Sequence, residues 1–419
     1  MKRNIFKVIA LLISAMLLYS ANCIAQTEFV SDTEEEVEED YPFDSTATAI
    51  IKSSTDMAFS LFAQVDKHKN RNENYTISPL SLTNALVMLA NGADGNTLKQ
   101  ITDVLGVKNI NTDDISKIYS TLNKYLKTVD PSTTFTNANS IWIDNKFNVN
   151  NDFIQKNNKL FNAKVQNQTL ATQKTMNDIN SWCDKQTNGC IKKALYNIPA
   201  SDSKMILMNA LYFNSTWVDT FDKANTKDDY FTNSDGSKSK VKMMHQKTDL
   251  RACICNNADM VEFPYGEEGN FYMEIFLPHE GENLDDCFKN LKNEHVEKIE
   301  NYASNYKVNV SMPRMELRCE TSFNSSLKAL GMSDAFANNA NFSKISNKDL
   351  FVSDIHQTTF IKVDEEGTEA AAETDEVFKC EEVLIQDEPL EFNINRPFLY
   401  LIREKTTGTI LFMGKVRKL

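Results

Sequence analysis

The chain has 419 residues, 41% of them hydrophobic and 25% charged, with a formal charge of −13. These values describe a soluble globular protein and exclude collagenous, low-complexity and polytopic membrane classes. The excess of carboxylates argues against a nucleic-acid partner. With only 12 glycines, and no G-x-G-x-x-G or G-x-x-x-x-G-K-[ST] string, no phosphate-cradling loop or nucleotide cofactor is expected.

Residues 1–25 have the layout of a secretory signal peptide, with Lys2, Arg3 and Lys7 ahead of an apolar run from Val8 to Tyr19. That run is well short of the roughly 20 residues a membrane span needs. Cleavage after Ala25 implies soluble export to the periplasm or the extracellular space. The alternative is a cell-surface lipoprotein anchored at Cys23, the one route by which a membrane becomes a partner. Segment 1–25 contains no acidic residue, so its removal takes the formal charge from −13 to −16. Residues 26–45, with the run SDTEEEVEEDYPFD, read as a disordered acidic spacer, because like charges repel and little apolar surface is available to bury.

Beyond it, Ser78-Pro79 is a helix start, since the hydroxyl caps free amides and proline loses nothing at the first helical position. Leu82, Ala85, Leu86 and Leu89 then follow at helical spacing, with Gly92 as the stop. A second helix carries Leu98, Ile101 and Leu105 and stops at Gly106. From Ile206 the runs ILMNALYF, FYMEIFLP and YKVNVSMP read as strands buried on both faces. PFLYLIR, KTTG and TILFMGKV form a closing hairpin. No linker divides residues 46–419, which are taken as one domain.

Of the eight cysteines, no spacing matches a zinc or iron–sulfur pattern, so no metal is expected. Cys253 and Cys255 fall on one strand face, poorly placed to bridge each other, and disulfides are not expected to define the fold. The five histidines occur without a G-x-S-x-G elbow or an H-E-x-x-H motif. His279 and His295 lie in polar stretches as solvent-exposed side chains. The residues point to no enzyme. Glu365–Val377 (EEGTEAAAETDEV) is different in texture. In an extended chain Thr368, Ala370, Ala372 and Thr374 share one small-residue face, while Glu369, Ala371, Glu373 and Asp375 share a soluble one. Such a segment suits both an exposed loop and a strand entering a sheet; an acidic surface loop or helix is the simpler reading.

The strings EEGTEAAAE, SPLSLTNALVMLANGADGNTLKQI, NALYFNSTWVDTF and FNINRPFLYLIREKTTGTILFMGKV resemble the serpins, in serpin order, across roughly residues 50–419. The resemblance implies an α+β fold of three β-sheets with eight or nine helices and an exposed reactive loop at about 365–390. It also implies the function: an exported, prokaryote-type inhibitor of serine endopeptidases, with cysteine endopeptidases as a second target class. The target cuts the loop, becomes an acyl-enzyme, and is trapped when the loop inserts into the main sheet. No cofactor is implied, and the partner is the target protease, in covalent complex with a monomer. The alternative is a non-inhibitory member serving as a binding or carrier scaffold.

Carried onto this chain, Glu366, Gly367, Thr368, Ala370, Ala371 and Ala372 form the hinge, with Thr368 the first side chain to enter the sheet. Glu376 would follow on the inserting face, where an unpaired carboxylate is costly. Ser78, Ser81 and Asn209 resemble the shutter and Trp217 the breach tryptophan. Gln357 stands where many serpins have a shutter histidine, and His356 beside it is not assigned. The family count places the scissile bond at Glu381–Glu382. The loop is longer than usual, so Lys379, Cys380 and Val383 remain alternatives.

Overall fold

The computed structural model describes residues 42–108, 110–368 and 388–419. The expected export segment with Cys23, most of the expected acidic spacer and residues 369–387, within the expected reactive loop, lie outside the described residues. Among the described residues there are nine α-helices: α1 Ser45–Asp66, α2 Pro79–Ala90, α3 Gly95–Val104, α4 Thr112–Tyr125, α5 Asn151–Phe161, α6 Gln173–Gln186, α7 Leu284–Cys287, α8 Asn293–Tyr302 and α9 Asn324–Ala329. The strands are β1 Tyr75–Ile77, β2 Thr134–Ile143, β3 Lys164–Asn167, β4 Met205–Thr216, β5 Lys227–Thr232, β6 Lys238–Cys253, β7 Ala258–Tyr265, β8 Phe271–Pro278, β9 Ser304–Pro313, β10 Met315–Ser322, β11 Asp354–Val363, β12 Gly367–Thr368, β13 Leu390–Asn393, β14 Phe398–Glu404 and β15 Ile410–Val416.

The structured body takes in residues 43–45, which the sequence reading placed in the acidic spacer: Ser45 opens α1, and Phe43 and Asp44 precede it. Phe43 is buried edge-on against Tyr125, and the Asp44 carboxylate accepts the Ala47 N–H at 2.8 Å to cap α1. Apolar contact and capping together draw these two residues into the fold. Ser78 caps α2 as its sequence implies, its hydroxyl accepting the Ser81 N–H at 3.3 Å. Every residue of α2 is buried. Gly92 does not end it through a left-handed turn. A Cβ there would lie 2.2 Å from Ile345 Cγ1 and 2.8 Å from Phe153 Cε2, so close packing, not backbone freedom, requires the glycine. Gly106, with φ of +71°, does stop α3 as read.

A six-stranded sheet runs β10-β11-β12-β4-β2-β3. Its central strand β4 is apolar on both faces because each face meets a different core. Met205, Leu207, Leu211 and Phe213 join the main cluster, on the side where α2 packs, while Ile206, Met208 and Ala210 join a smaller one with Trp142, Ile179 and Cys183 of α6. The second hydrogen-bonded network has nine strands, along β1-β15-β14-β8-β7-β6-β9-β13 with β5 on β6. Its continuity comes from β6, whose 16 residues pair with β5 and β9 and, at the far end, with β7, joining what are otherwise two sheets. One strand departs from its reading. YKVNVSMP in β9 alternates over most of its length, with Val308, Val310 and Met312 inward and Lys307 outward, because only one face of this strand is covered.

The end of β15 is fixed by a buried ionic cluster. Lys415 Nζ lies 2.7 Å from Asp66 and 2.8 Å from Asp285, and Arg417 Nη2 lies 2.8 and 2.6 Å from the same two carboxylates. Burial pushes the pKa values of both carboxyls up, but the hydrogen bonds and charges of Lys415 and Arg417 outweigh it and hold them below the ordinary range. A depressed folded pKa contributes stability that is complete above the unfolded value, about 4, and is lost as pH falls through the folded value. Urea midpoints are therefore expected to fall on acidification below about pH 4. Asp66→Asn should lower stability by on the order of 2 kcal/mol at neutral pH, less than for an isolated buried pair because Asp285 still compensates, and should flatten the acid limb of that profile.

Candidate functional site: a sheet parted at one end

The feature that organises the six-stranded sheet is where β4 and β11 meet and where they part. They pair in parallel from Asp354–Ile206 to Thr358–Ala210. Beyond those pairs the ladder between them stops, and at the far end β12 lies in the opening. There Thr368 pairs with Ser215 of β4 and with Val363 of β11, antiparallel to both, and Gly367 pairs with Thr216. Between the zipped end and this wedge, Leu211–Asn214 of β4 and Thr359–Lys362 of β11 have no ladder partner on that side among the described residues.

Gly367 is required by approach. A Cβ at that position would sit 2.1 Å from the Ser215 carbonyl oxygen and 2.7 Å from Thr216 Cα, both backbone atoms that cannot yield. Thr368 is buried, its hydroxyl 2.6 Å from the Tyr265 hydroxyl. Tyr265 is fully buried, and burial pushes its pKa well up, so it stays a neutral phenol able to share that bond. Trp217 stacks on Tyr265 with ring centroids 4.2 Å apart. The Trp217 indole N–H donates to the Asp364 carbonyl at 3.0 Å and its backbone N–H to the Glu366 carbonyl at 2.9 Å. Trp217, placed at the breach by resemblance, thus touches the chain entering the hinge.

Glu365 anchors the turn before it. Its side chain is 2% exposed and receives Arg314 Nε at 2.8 Å and Arg314 Nη2 at 2.6 Å, together with the Thr226 hydroxyl. Burial raises its pKa, yet these bonds outweigh burial and hold the carboxyl below the ordinary range. Glu366 pairs with Lys223 at the surface, an exposed contact of small value. Tyr265, Arg314 and Thr226 were not singled out in the sequence, and Glu365 only as the first residue of the hinge stretch. The first three come from distant stretches of chain, and nothing in their local patterns marks them.

At the zipped end, Gln357 meets the start of α2. Its carbonyl accepts the Ser78 N–H at 2.7 Å and its amide donates to the Ser78 carbonyl at 3.0 Å, so one side chain bonds both main-chain polar groups of that residue, whose carbonyl also takes the Leu82 N–H. Ser81 is tied to Ser78 through the cap. Asn209 stands beside Gln357 in the ladder, but its amide bonds Asn139, not the serines. Ser81 Oγ and Asn209 Oδ1 are buried without a hydrogen-bond partner. His356 points away, 3.6 Å from Asp354. The structure thus gathers Ser78, Ser81 and Gln357 into one cluster, with Asn209 adjacent. Ala370, Ala371, Ala372, Glu376, Lys379, Cys380, Glu381, Glu382 and Val383 lie outside the described residues.

The expectation for Cys253 and Cys255 is corrected. β6 ends at Cys253, the chain turns, and the two sulfurs lie 3.1 Å apart. Among the described residues, no group of three or more His, Cys, Asp or Glu side chains is placed to hold a metal ion.

Comparison with known proteins matches this architecture. The family model for Serpin (serine protease inhibitor) covers residues 52–419. A serine protease inhibitor of Cyanea capillata is 32% identical over 376 residues, spanning 87% of this chain and 97% of its own. The native-state crystal structure of the thermophilic serpin tengpin superposes with a TM-score of 0.79 at 32% identity, covering 90% of this chain and 95% of that one. Thyroxine-binding globulin in complex with thyroxine has a TM-score of 0.79 at 23% identity, over 88% of this chain and 99% of its own, and shares the fold. With its α+β architecture, its parted sheet and this match over most of its length, the chain belongs to the serpin family.

Proposed function

We propose that this serpin is an exported inhibitor of serine endopeptidases, with cysteine endopeptidases as a second class, acting as a single-use covalent trap. The observation that carries the reading is the position of Gly367 and Thr368, already antiparallel to both flanking strands at the mouth of the opening between β4 and β11. A strand continuing from Thr368 in that direction meets backbone groups of β4 and β11 that lack a ladder partner among the described residues, so insertion would gain hydrogen bonds at each step. Small side chains at Ala370 and Ala372 keep the inserting face narrow. The target's nucleophile attacks the scissile carbonyl, assigned to Glu381 with Lys379, Cys380 and Val383 as alternatives, and forms an acyl-enzyme. The freed segment then enters the sheet before water reaches the ester. Residues 1–25 direct export, residues 26 to about 42 form a spacer, and the inhibitor works as a monomer.

The second reading, a binding or carrier scaffold, draws on the likeness to thyroxine-binding globulin and on Glu376, which alternation continued from Thr368 would put on the inserting face.

Incubation of the mature chain with glutamate-specific, trypsin-like, elastase-like and papain-like proteases is expected to give a denaturant-resistant complex at the summed mass with at least one of them. The released peptide identifies the scissile bond, and loop cleavage with no complex in any reaction supports the scaffold reading instead. Thr368→Arg places an unpaired cation against buried Tyr265. It should cut the yield of complex at least tenfold while loop cleavage persists, read on the same gels. Gln357→Ala leaves the buried Ser78 N–H unpaired at the zipped end, while the Ser78 carbonyl keeps the Leu82 N–H, and should lower the urea midpoint by an amount equivalent to about 1–3 kcal/mol.

A further inference from the structure

The end of the β6–β7 hairpin holds a pair of thiols that inhibition does not use. The ladder between these strands runs Arg251–Glu262, Ala252–Val261, Cys253–Met260. It stops there because the next residues turn away. The Cys255 N–H donates to Asp259 Oδ1 at 3.2 Å, which curls the chain back on itself. Alternation along a continuing strand would have kept two same-face sulfurs apart. The turn instead carries Cys255 Sγ to 3.1 Å from Cys253 Sγ and 3.8 Å from the Cys253 carbonyl. Cys253 rests on the core, while Ile254 between the two cysteines is 50% exposed and Cys255 is half-buried, so the pair opens to solvent on one side. Cys287 Sγ lies 3.8 Å from the Asn257 carbonyl, placing a third thiol at the same turn.

We propose that Cys253 and Cys255 are a redox modification site, closing to an intramolecular disulfide by exchange with a low-molecular-weight disulfide such as oxidised glutathione. One cysteine, as its thiolate, attacks a sulfur of the reagent, forming a mixed disulfide and expelling one thiolate. The other sulfur then attacks the mixed disulfide at the protein sulfur, expels the second thiolate and gives up its proton. Two protein thiols are oxidised, the reagent disulfide is reduced to two thiols, and no further oxidant is needed. Burial, followed by the bond to Cys253, pushes the Cys255 thiol up to about 12. The pair therefore holds on to a proton at neutral pH, and closure speeds up as pH rises.

The full chain, reduced and then incubated with oxidised glutathione across pH 7–9, is alkylated and digested while denatured with trypsin and a glutamate-specific protease. Cleavage after Arg251 and Glu262 releases peptide 252–262, which carries Cys253 and Cys255 but not Cys287. The expected product is that peptide unalkylated and lighter by two hydrogens, formed faster at the higher pH and reversed by reductant. Cys287→Ser should close in the same way. A peptide that keeps two alkyl groups, one that carries glutathione on both sulfurs, a crosslink from Cys255 to Cys287, or loss of closure in Cys287→Ser would each overturn the assignment.

Discussion

The constraint on which this molecule depends is a sheet that, among the described residues, is left unfinished. β4 and β11 are joined over one stretch, from Asp354–Ile206 to Thr358–Ala210, and then separate. Backbone groups inside a protein are nearly always paired, so a gap in a ladder is a standing source of free energy for any segment able to fill it. Gly367 and Thr368 occupy only its mouth. The neighbouring contacts hold that position: Tyr265 bonds the Thr368 hydroxyl, Trp217 carries the preceding carbonyls, and Arg314 neutralises a carboxylate too deeply buried to stand alone.

The nine-stranded sheet has the opposite character. β6 runs unbroken through both of its parts, and the β14–β15 turn is pinned by Glu404, whose two carboxylate oxygens accept the Thr406 and Thr407 N–H groups at 2.8 Å each. Its polar groups at this turn are well supplied with partners. Between a closed frame and an open sheet, α2 touches both, packing on β2, β4 and β15. A helix with every residue buried has no solvent face along which to adjust, and Gly92 beyond it leaves no room for even a methyl group.

What the sequence made legible was local or repeated. Ser78-Pro79 announced a helix because capping needs only neighbours, and β4 announced itself because burial on both faces leaves a continuous apolar run. The hinge was legible through its alternation of small residues, and through likeness to a family. The rest depended on contacts between distant residues. Tyr265 lies about 100 residues before Thr368 in the chain, and Arg314 about 50 before Glu365; neither sits in a pattern that marks a partner. The contact of Cys253 and Cys255 was misread for a different reason. Strand alternation held up to Cys253, and the turn that follows is set by a hydrogen bond to Asp259, which period-two reasoning does not contain. β9 was misread because an apolar run does not say how many of its faces are covered.

The choice of amide at position 357 has a consequence for how the molecule responds to its surroundings. A carboxamide has the donor and acceptor geometry of a peptide group, so Gln357 behaves toward Ser78 as an extra rung of main chain. Imidazole in the same place would gain a proton between about pH 5 and 8, and its grip on the helix would vary over that interval. Gln357 takes up no proton there. The latch between α2 and β11 is thus uncoupled from acidity over that interval, and in mildly acidified surroundings it would hold the helix to the strand as it does at neutrality.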